Sequence, residues 1–218
     1  MKRLILLNLV FVSVVLLHAQ SIEQETRNVA KLLKQNNYTE AIKELKRAIA
    51  IVEEEKLSQM KAELLPEKVL DYLKASEDEN MESTISKING KRIELVQVYT
   101  KPLNNTDSFE DSPEGYIGQN NATISVSISN DPGKMYEIAN AHSTNNTDGF
   151  EGESMSAASF NGYRAIYSYS PEFRNGRLAV IVGGAVMEIR GENIGKEKVL
   201  YETAEMIELE KCIHFFGR

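Results

Sequence analysis

The sequence predicts an α+β protein in which an N-terminal helical hairpin precedes an antiparallel sheet of about five strands, covered by a C-terminal helix. Three observations predict this class. Apolar residues recur at helical spacing between residues 21 and 64. Alternating or β-branched runs, separated by turn residues, follow between residues 85 and 191. A last helical pattern then extends from Lys196 to Phe216.

Residues 1–19 have the features of a secretory signal peptide. Lys2 and Arg3 precede an apolar run from Leu4 to Leu17, and the small residue Ala19 stands before a polar segment. A retained membrane anchor is the weaker alternative, because the run is shorter than the roughly 20 residues that a spanning helix needs. We therefore expect export with cleavage after Ala19 and no stable membrane anchor afterwards. The periplasm is the first choice of compartment, and secretion outside the cell is the second.

Charge and cysteine content narrow the classes of partner. The chain carries 25 Lys and Arg against 32 Asp and Glu, a net charge of −7. Removal of the two basic leader residues leaves 23 against 32, or −9. An acidic chain without a basic patch binds nucleic acids and anionic membranes poorly, so we expect neither as a partner. The single cysteine, Cys212, excludes an intramolecular disulfide.

The first part of the mature chain predicts two helices that fold back on each other over residues 20–75. The first runs from Ser21 to Asn36, and the second begins at Tyr38 and continues toward Pro66. A short helix follows as far as about Lys74. A polar linker over residues 75–83 then separates this module from a sheet domain at 84–218.

The segment NNYTEAIKELKRAI resembles the second half of a tetratricopeptide unit. Tyr38 stands at the turn, and Ala41, Leu45 and Ala48 stand where the helix pair of such a unit packs. The sequence contains no second copy, and a solenoid needs about three repeats to bury a continuous core. The resemblance therefore implies a helical hairpin. An ordinary amphipathic pair docked on the domain is favoured over a peptide-binding groove.

The sheet domain begins near Ile85, where an Asn-Gly turn predicts a hairpin or one interrupted strand. Residues 122–129 alternate strictly between apolar and polar, which predicts a strand with one buried face. A short helix over 135–141 follows. Residues 161–191 predict a three-stranded meander with turns at a Pro-Glu-Phe-Arg-Asn-Gly segment and at Gly183-Gly184. Two polar loops, 101–120 and 143–156, interrupt this pattern.

The sequence contains no motif of a known catalytic or metal centre. There is no nucleophile elbow and no glycine-rich phosphate loop. A loop that resembles a calcium-binding loop has Met155 where the bidentate glutamate must stand. We expect no metal and no cofactor. An exported hydrolase with a dispersed site stays open as an alternative, with His142 as its base and Ser154, Ser156 or Ser159 nearby.

Three tyrosines on one predicted strand are the candidate binding residues. Tyr163, Tyr167 and Tyr169 share one side of the strand, and Arg164 stands on the other. A tyrosine row can bind a glycan or a peptide, because each ring combines apolar area with a hydroxyl. Packing of these rings beneath a helix is the favoured alternative.

The sequence suggests two further features of the predicted sheet, a charge network and an apolar pocket. Glu188 and Arg190 share a side of the next strand and are expected to form a cross-strand charge network with Arg164 on a wet face. An apolar ligand stored between the sheet and the C-terminal helix would require a pocket lined by residues such as Val180, Met187 and Met206.

The order of the predicted elements resembles that of uncharacterised exported bacterial proteins and, more distantly, the Mog1/PsbP-like α+β fold. The segment NGYRAIYSY and the Val-Gly-Gly turn that follows it carry this resemblance. The resemblance implies a noncatalytic binding or assembly role with an unknown protein or small molecule as the partner.

Overall fold

The structure is a computed structural model that describes residues 23–75, 87–89, 92–103, 121–144 and 155–217. The predicted signal peptide and most of the two predicted polar loops lie outside the described residues. The chain divides into two compact units, residues 1–59 and residues 60–218. Among the described residues, no helix is both long enough and apolar enough to cross a membrane.

The first unit contains helix α1 and most of helix α2, joined by a tight reversal, and the last five residues of α2 belong to the second unit. Helix α1 includes the described residues 23–34, and α2 extends over Tyr38–Leu64. Asn36 adopts a φ of 60° between them, a left-handed conformation that asparagine tolerates better than most residues. The side-chain oxygen of Asn37 accepts a hydrogen bond from the backbone N–H of Glu40 at 3.4 Å and so caps α2.

The two helices pack through small and apolar residues. Val29 of α1 and Ala41 of α2 are buried. The carboxyl group of Glu44 on α2, followed by burial, raises the pKa of Glu25 on α1 above its usual value. Within this unit, the predicted pair of helices is therefore present.

Helix α2 presents a second apolar face to solvent. Leu45, which the tetratricopeptide resemblance places in the helix pair, is 46% exposed and lies outside that contact. The residues around it at the same helical spacing are exposed as well. We call this face the apolar seam, and it consists of Tyr38, Ile42, Leu45, Ile49 and Val52.

The second unit is built on one antiparallel sheet, which is larger than the predicted sheet of about five strands. Eight strands follow one another in the order β1-β2-β4-β5-β9-β8-β7-β6, and β3 also pairs with β4. The strands are β1 (Lys68–Val69), β2 (Tyr72–Lys74), β3 (Lys87–Asn89), β4 (Arg92–Pro102), β5 (Asn121–Ser129), β6 (Ser156–Phe160), β7 (Tyr163–Ser170), β8 (Asn175–Val182) and β9 (Ala185–Glu192).

The strands with the clearest sequence patterns are confirmed. Strands β3 and β4 pair as an antiparallel hairpin, with Asn89 opposite Arg92; Gly90 of the predicted turn lies outside the described residues. Strands β7, β8 and β9 form the predicted meander. The alternation in β5 corresponds to burial, since its apolar residues are buried while most of its polar residues are partly exposed. These buried residues are Ala122, Ile124, Val126 and Ile128.

Two strand regions differ from the prediction. The short helix expected after Pro66 is wrong, because β1 and β2 form a hairpin there. Leu70 makes its turn with a φ of 52°, a conformation that a leucine side chain does not signal. Strand β6 begins at Ser156, where the predicted loop ends. Its residues are mostly small and polar, so neither β-branching nor strict alternation identifies it.

Three helices lie on the two faces of the meander. Helix α3 (Pro132–Thr144) contacts β6, β7, β8 and β9. Helices α4 (Lys198–Glu205) and α5 (Leu209–Phe216) contact β8 and β9. The buried residues beneath α3 alternate along the strands with those beneath α4 and α5, so the two sets of helices cover opposite faces. The α3 side contains Ile138, Ala141, Met155, Ile166, Ala179 and Val186.

The closing helix was predicted as one continuous element, whereas the structure divides it at residues 206–208. The interruption changes the phase of the buried stripe. Of the positions that helical spacing places on the buried side, Thr203 and Phe216 are buried, whereas Met206 is exposed. The buried residues of α4 and α5 are Leu200, Thr203, Ala204, Cys212 and Phe216.

The contact between the end of α5 and the β8–β9 turn can be tested at a glycine. A Cβ on Gly184 would overlap the carbonyl oxygen of Phe216, which is a backbone atom, whereas a Cβ on Gly195 would meet nothing within 4 Å. We expect Gly184→Ala to lower the free energy of unfolding by about 1–3 kcal/mol. Gly195→Ala serves as the control, with a change of less than about 1 kcal/mol.

Urea denaturation followed by circular dichroism measures both changes. A Gly184→Ala variant that is as stable as Gly195→Ala would contradict the close approach of α5 to this turn.

Candidate functional site

The most deeply buried carboxylate of the sheet unit is that of Glu188, on the α3 side of β9. Its side chain is only 2% exposed. It accepts hydrogen bonds from Arg177 Nε at 2.7 Å, from Arg190 Nε at 2.8 Å and from Lys134 Nζ at 3.0 Å. We call these residues, with Glu137 and Glu94 described next, the charge cluster.

The charge cluster joins α3 to the sheet. Arg177 donates from Nη1 and Nη2 to the carboxylate of Glu137 at 2.7 and 3.1 Å, which is a bidentate pair. Lys134, one turn earlier on α3, also lies 3.5 Å from a carboxylate oxygen of Glu94 on β4. The cluster thus contains three cations and three carboxylates. Because their charges balance and their groups are mutually bonded, the arrangement is suited to holding α3 and not to binding an ion.

The pKa shifts follow from this geometry. Burial alone would raise the pKa of Glu188, but the neighbouring positive charges of Arg177, Lys134 and Arg190 outweigh burial and lower it to about 2. Burial would lower the pKa of Arg177, yet Glu137 and Glu188 raise it above its usual value. Both groups therefore stay charged at neutral pH.

The predicted charge network is present with a different arginine. Arg177 of β8 pairs with Glu188, whereas Arg164 is an exposed residue of β7. The prediction of a wet face is wrong, because α3 covers this side of β9. Alternation along β8 and β9, together with the register that the two-residue turn at Gly183-Gly184 sets, is the signal that places Arg177 on the same side of the sheet as Glu188. No local pattern indicated that Lys134 and Glu137 of α3 would reach it.

The three predicted tyrosines lie together on the other side of β7. Tyr163, Tyr167 and Tyr169 are each half-buried, and Tyr201 of α4 joins them. We call these four residues the tyrosine surface. Arg164 lies on the opposite side of the strand, so the structure does not bring it to the three rings.

Contacts with α4 and the segment before it orient the rings. The ring centroids of Tyr167 and Tyr201 are 5.3 Å apart with an interplanar angle of 39°. The Tyr167 hydroxyl donates to Glu197 Oε2 at 2.8 Å, and the Tyr169 hydroxyl donates to the carbonyl of Ile194 at 3.3 Å. Burial, followed by the hydrogen bond to Glu197, raises the pKa of Tyr167, so this hydroxyl stays a donor. The rings are thus partly packed under α4 and partly open to solvent.

The residues of the alternative hydrolase site are placed differently. His142 of α3 lies with Nε2 2.8 Å from the carbonyl oxygen of Ala165, to which the ring donates. Ser156 and Ser159 are exposed on β6, and Ser154 lies outside the described residues. Where the structure describes the chain, no serine hydroxyl is hydrogen bonded to His142.

The residues suggested for an apolar ligand differ in their exposure to solvent. Val180 and Met187 are fully buried in the sheet. Met206 is 40% exposed, and its Sδ accepts a hydrogen bond from the backbone N–H of Leu70 at 3.3 Å. It therefore contacts the β1–β2 turn. In the described ranges, no group of three or more His, Cys, Asp or Glu residues is placed to hold a metal ion.

No protein-family model, curated protein or solved structure matches the chain. The resemblances to a tetratricopeptide unit and to the Mog1/PsbP-like fold therefore stay predictions. A functional assignment therefore depends on the geometry of the charge cluster, the tyrosine surface and the helical unit.

The charge cluster predicts a large effect for one isosteric substitution. Glu188→Gln removes the negative charge that three cations share. The positive charge of the buried Arg177 is then balanced by Glu137 alone. We expect the free energy of unfolding to fall by about 3–5 kcal/mol. Glu192→Gln, at an exposed position of the same strand, is the control, with a change within about 0.5 kcal/mol. Urea denaturation at pH 7 tests the difference, and equal losses in the two variants would refute the role of the cluster.

The depressed pKa of Glu188 predicts a pH dependence of stability. Its carboxyl has an ordinary pKa of 4.5 and a folded-state pKa of about 2. Because the pKa is lower in the folded state, the ionised carboxylate adds on the order of 3 kcal/mol to the free energy of unfolding above pH 4.5. This contribution is lost as the pH falls toward 2. The difference in stability between the wild type and Glu188→Gln should therefore narrow as the pH falls from about 5 to about 2. A difference that stays constant over this range would contradict the assignment.

Proposed function

We propose that the chain is a noncatalytic exported protein, periplasmic or secreted, that binds a protein or small-molecule partner through the tyrosine surface in a binding or assembly role. The observation that carries the proposal is a row of three half-buried tyrosine rings along one side of β7, with the half-buried Tyr201 of α4 in contact with the middle ring, Tyr167. Each ring offers apolar area beside a hydroxyl, and tyrosine is enriched in protein interfaces for this reason.

The rigidity of the elements that bear the rings supports the proposal. Tyr163, Tyr167 and Tyr169 stand on β7, which is paired on both sides by β6 and β8. Tyr201 stands on α4, and the bond from Tyr167 to Glu197 fixes a ring orientation across the two elements. A surface whose rotamers are already fixed loses less conformational entropy when a partner binds.

The class of partner and the compartment follow from the sequence. The leader features favour export, and an acidic chain favours partners other than nucleic acids and anionic membranes. A binding role is preferred over a hydrolase, because the ring nitrogen Nε2 of His142 donates to a backbone carbonyl instead of facing a serine. It is also preferred over apolar-ligand storage, since Val180 and Met187 are fully buried whereas Met206 is exposed and contacts Leu70.

The tyrosine surface is tested by the double variant Tyr167→Ala and Tyr169→Ala. The full 218-residue sequence is expressed, and partners are captured from an envelope extract of the producing organism. Proteins and small molecules in the eluate are quantified by mass spectrometry. We expect a partner retained by the wild type to fall by at least about tenfold with the double variant, since buried interface tyrosines are frequent hot spots. Tyr136→Ala, at a 70% exposed tyrosine of α3, is the control and should retain the partner.

A urea denaturation curve of the double variant separates a lost contact from lost folding. If the double variant unfolds, the two rings belong to the core and the site assignment is lost. Retention of the partner by the double variant and by Tyr136→Ala to the same degree also contradicts the proposal.

A further inference from the structure

Strand β6 is the last strand of the sheet order, and in the described part of the chain no strand pairs with its outer side, which we call the β6 edge. Its residues from Ser156 to Ser159 are exposed or only partly buried. The strand contains no charged residue and no proline, which are devices that protect an open edge from pairing. Strand β1, at the opposite end of the order, has only two residues, one of them Lys68. The β6 edge is therefore able to accept a further strand.

The turn between β6 and β7 determines which backbone groups of β6 point outward. Asn161-Gly162 has φ values of 49° and 83°, and positive φ at both positions is typical of a two-residue type I′ turn. The residues beside such a turn, Phe160 and Tyr163, form a hydrogen-bonded pair, and bonded and non-bonded pairs alternate along the two strands. The backbone N–H and C=O groups of Ala157 and Ser159 therefore point away from β7, toward the β6 edge.

Arg164 supplies a positive charge on the α3 side of this edge. It lies directly opposite Ser159 in the pairing of β6 with β7, and it is exposed. With the described part of the chain it forms no ion pair and no hydrogen bond. A strand added outside β6 would lie two strand spacings, about 10 Å, from Arg164, with only the short side chain of Ser159 between them. The side chains of arginine and glutamate together span this distance, so the site favours an acidic residue opposite Ser159.

The other side of β6 continues the tyrosine surface. Phe160 lies on that side, and its ring centroid is 6.4 Å from that of Tyr201. Ala158 shares the side and offers only a methyl group. A side chain opposite Ala158 in an added strand would thus cover this methyl group and stand diagonal to Phe160. The site favours an apolar residue there, next in sequence to the acidic one.

We propose that the β6 edge binds an extended segment of a protein partner as an added antiparallel strand, with an acidic residue opposite Ser159 and an apolar residue opposite Ala158. The inference rests on the proposed function, because it names the form in which a partner of the tyrosine surface is recognised. In complexes of this kind, main-chain hydrogen bonds supply affinity and alternate side chains supply specificity.

A second copy of this chain is a poorer occupant of the β6 edge than a different protein. The copy would present its own β6, the segment SAASF, which has no carboxylate to place opposite Ser159. Two copies paired through β6 would bring both Arg164 residues to one continuous sheet without a counter-charge between them. The unpaired charge of Arg164 therefore indicates an acidic strand from another chain.

A phage-displayed library of random short linear peptides, selected on the purified chain expressed from the full 218-residue sequence, supplies the probe. We expect enriched sequences in which an acidic residue stands next to an apolar one. The best peptide is synthesised with a fluorophore, and fluorescence anisotropy should give a Kd in the micromolar range. A library that yields no binder, or only binders without an acidic residue, would contradict the proposal.

N-methylation of the peptide, one position at a time, tests the strand pairing. Every second backbone N–H of an added strand faces β6, so methylation should raise the Kd at least about tenfold at alternate positions and much less at those between. Amide exchange measured by NMR should show slower exchange at Ala157 and Ser159 in the complex, whereas Ala158 is already bonded to β7. Equal sensitivity of neighbouring peptide positions, or unchanged exchange at Ala157 and Ser159, would overturn the proposal.

The variant Arg164→Gln tests the charge pairing. It should raise the Kd of the acidic peptide by about threefold, as expected for an exposed ion pair. This loss should disappear when the acidic residue of the peptide is replaced by its amide. Lys34→Gln removes the same charge from an exposed position of α1 and should leave the Kd unchanged. Equal binding of the acidic peptide by Arg164→Gln and by Lys34→Gln would refute the pairing.

Ser159→Pro links the β6 edge to the partner captured from the envelope extract. Proline removes an outward N–H and no bond to β7, so the sheet should stay folded, which urea denaturation verifies. We expect the captured partner to fall at least about tenfold. If this variant does not fold, Arg164→Gln takes its place, with a fall of about threefold expected.

The capture separates the two proposals. Loss of the partner with Tyr167→Ala and Tyr169→Ala, but its retention by folded Ser159→Pro, keeps the tyrosine surface and refutes the β6 edge. Retention by all these variants refutes the proposed function, and the N-methylation and exchange results then decide the β6 edge by themselves.

Discussion

The buried carboxylate of Glu188 determines how the α3 side of the sheet is built. Helix α3 buries few apolar residues, and Lys134 and Glu137 attach it to β4, β8 and β9 through the charge cluster. Buried ion pairs lose much of their attraction to desolvation, so their main effect here is to specify one position for the helix. The same constraint explains β5, whose Ser127 lies directly opposite Glu188. A serine row suits the polar surroundings of the cluster, while the other side of β5 is apolar.

Local sequence patterns were sufficient to predict the strands whose residues alternate strictly or are bounded by clear turn residues. The alternation of residues 122–129 predicted β5, whose burial has a period of two. The turn residues between the apolar runs predicted β7, β8 and β9, although β8 and β9 are buried on both faces. The pattern failed where tertiary contacts decide the structure. Strands β1 and β2 turn at a leucine with positive φ, and β6 lacks β-branched residues. The break between α4 and α5 lies in a stretch whose apolar spacing is compatible with one continuous helix.

In the candidate sites, too, strand alternation placed some residues, whereas others are placed only by tertiary packing. Alternation placed Tyr163, Tyr167 and Tyr169 on one side of β7, but the contribution of Tyr201 depends on how α4 packs and has no local signal. The sequence signals only the part of the charge cluster that lies in the sheet, because Arg177 of β8 and Glu188 of β9 are on the same side of it. Helix α2 illustrates a further limit, because an amphipathic pattern reveals apolar positions without separating the face that meets α1 from the face that meets solvent.

The order of strands in the sheet has a consequence for the way the chain folds during synthesis. Strand β5 lies between β4, its neighbour in sequence, and β9, the last strand of the sheet; Ile124 pairs with Gly191. As the chain leaves the ribosome, the first half of the sheet has one open edge until β9 has emerged. Such high contact order slows folding and prolongs the exposure of an apolar strand. Until β9 pairs with it, β5 presents unpaired backbone N–H and C=O groups along its whole length, which is an edge at which other chains can pair.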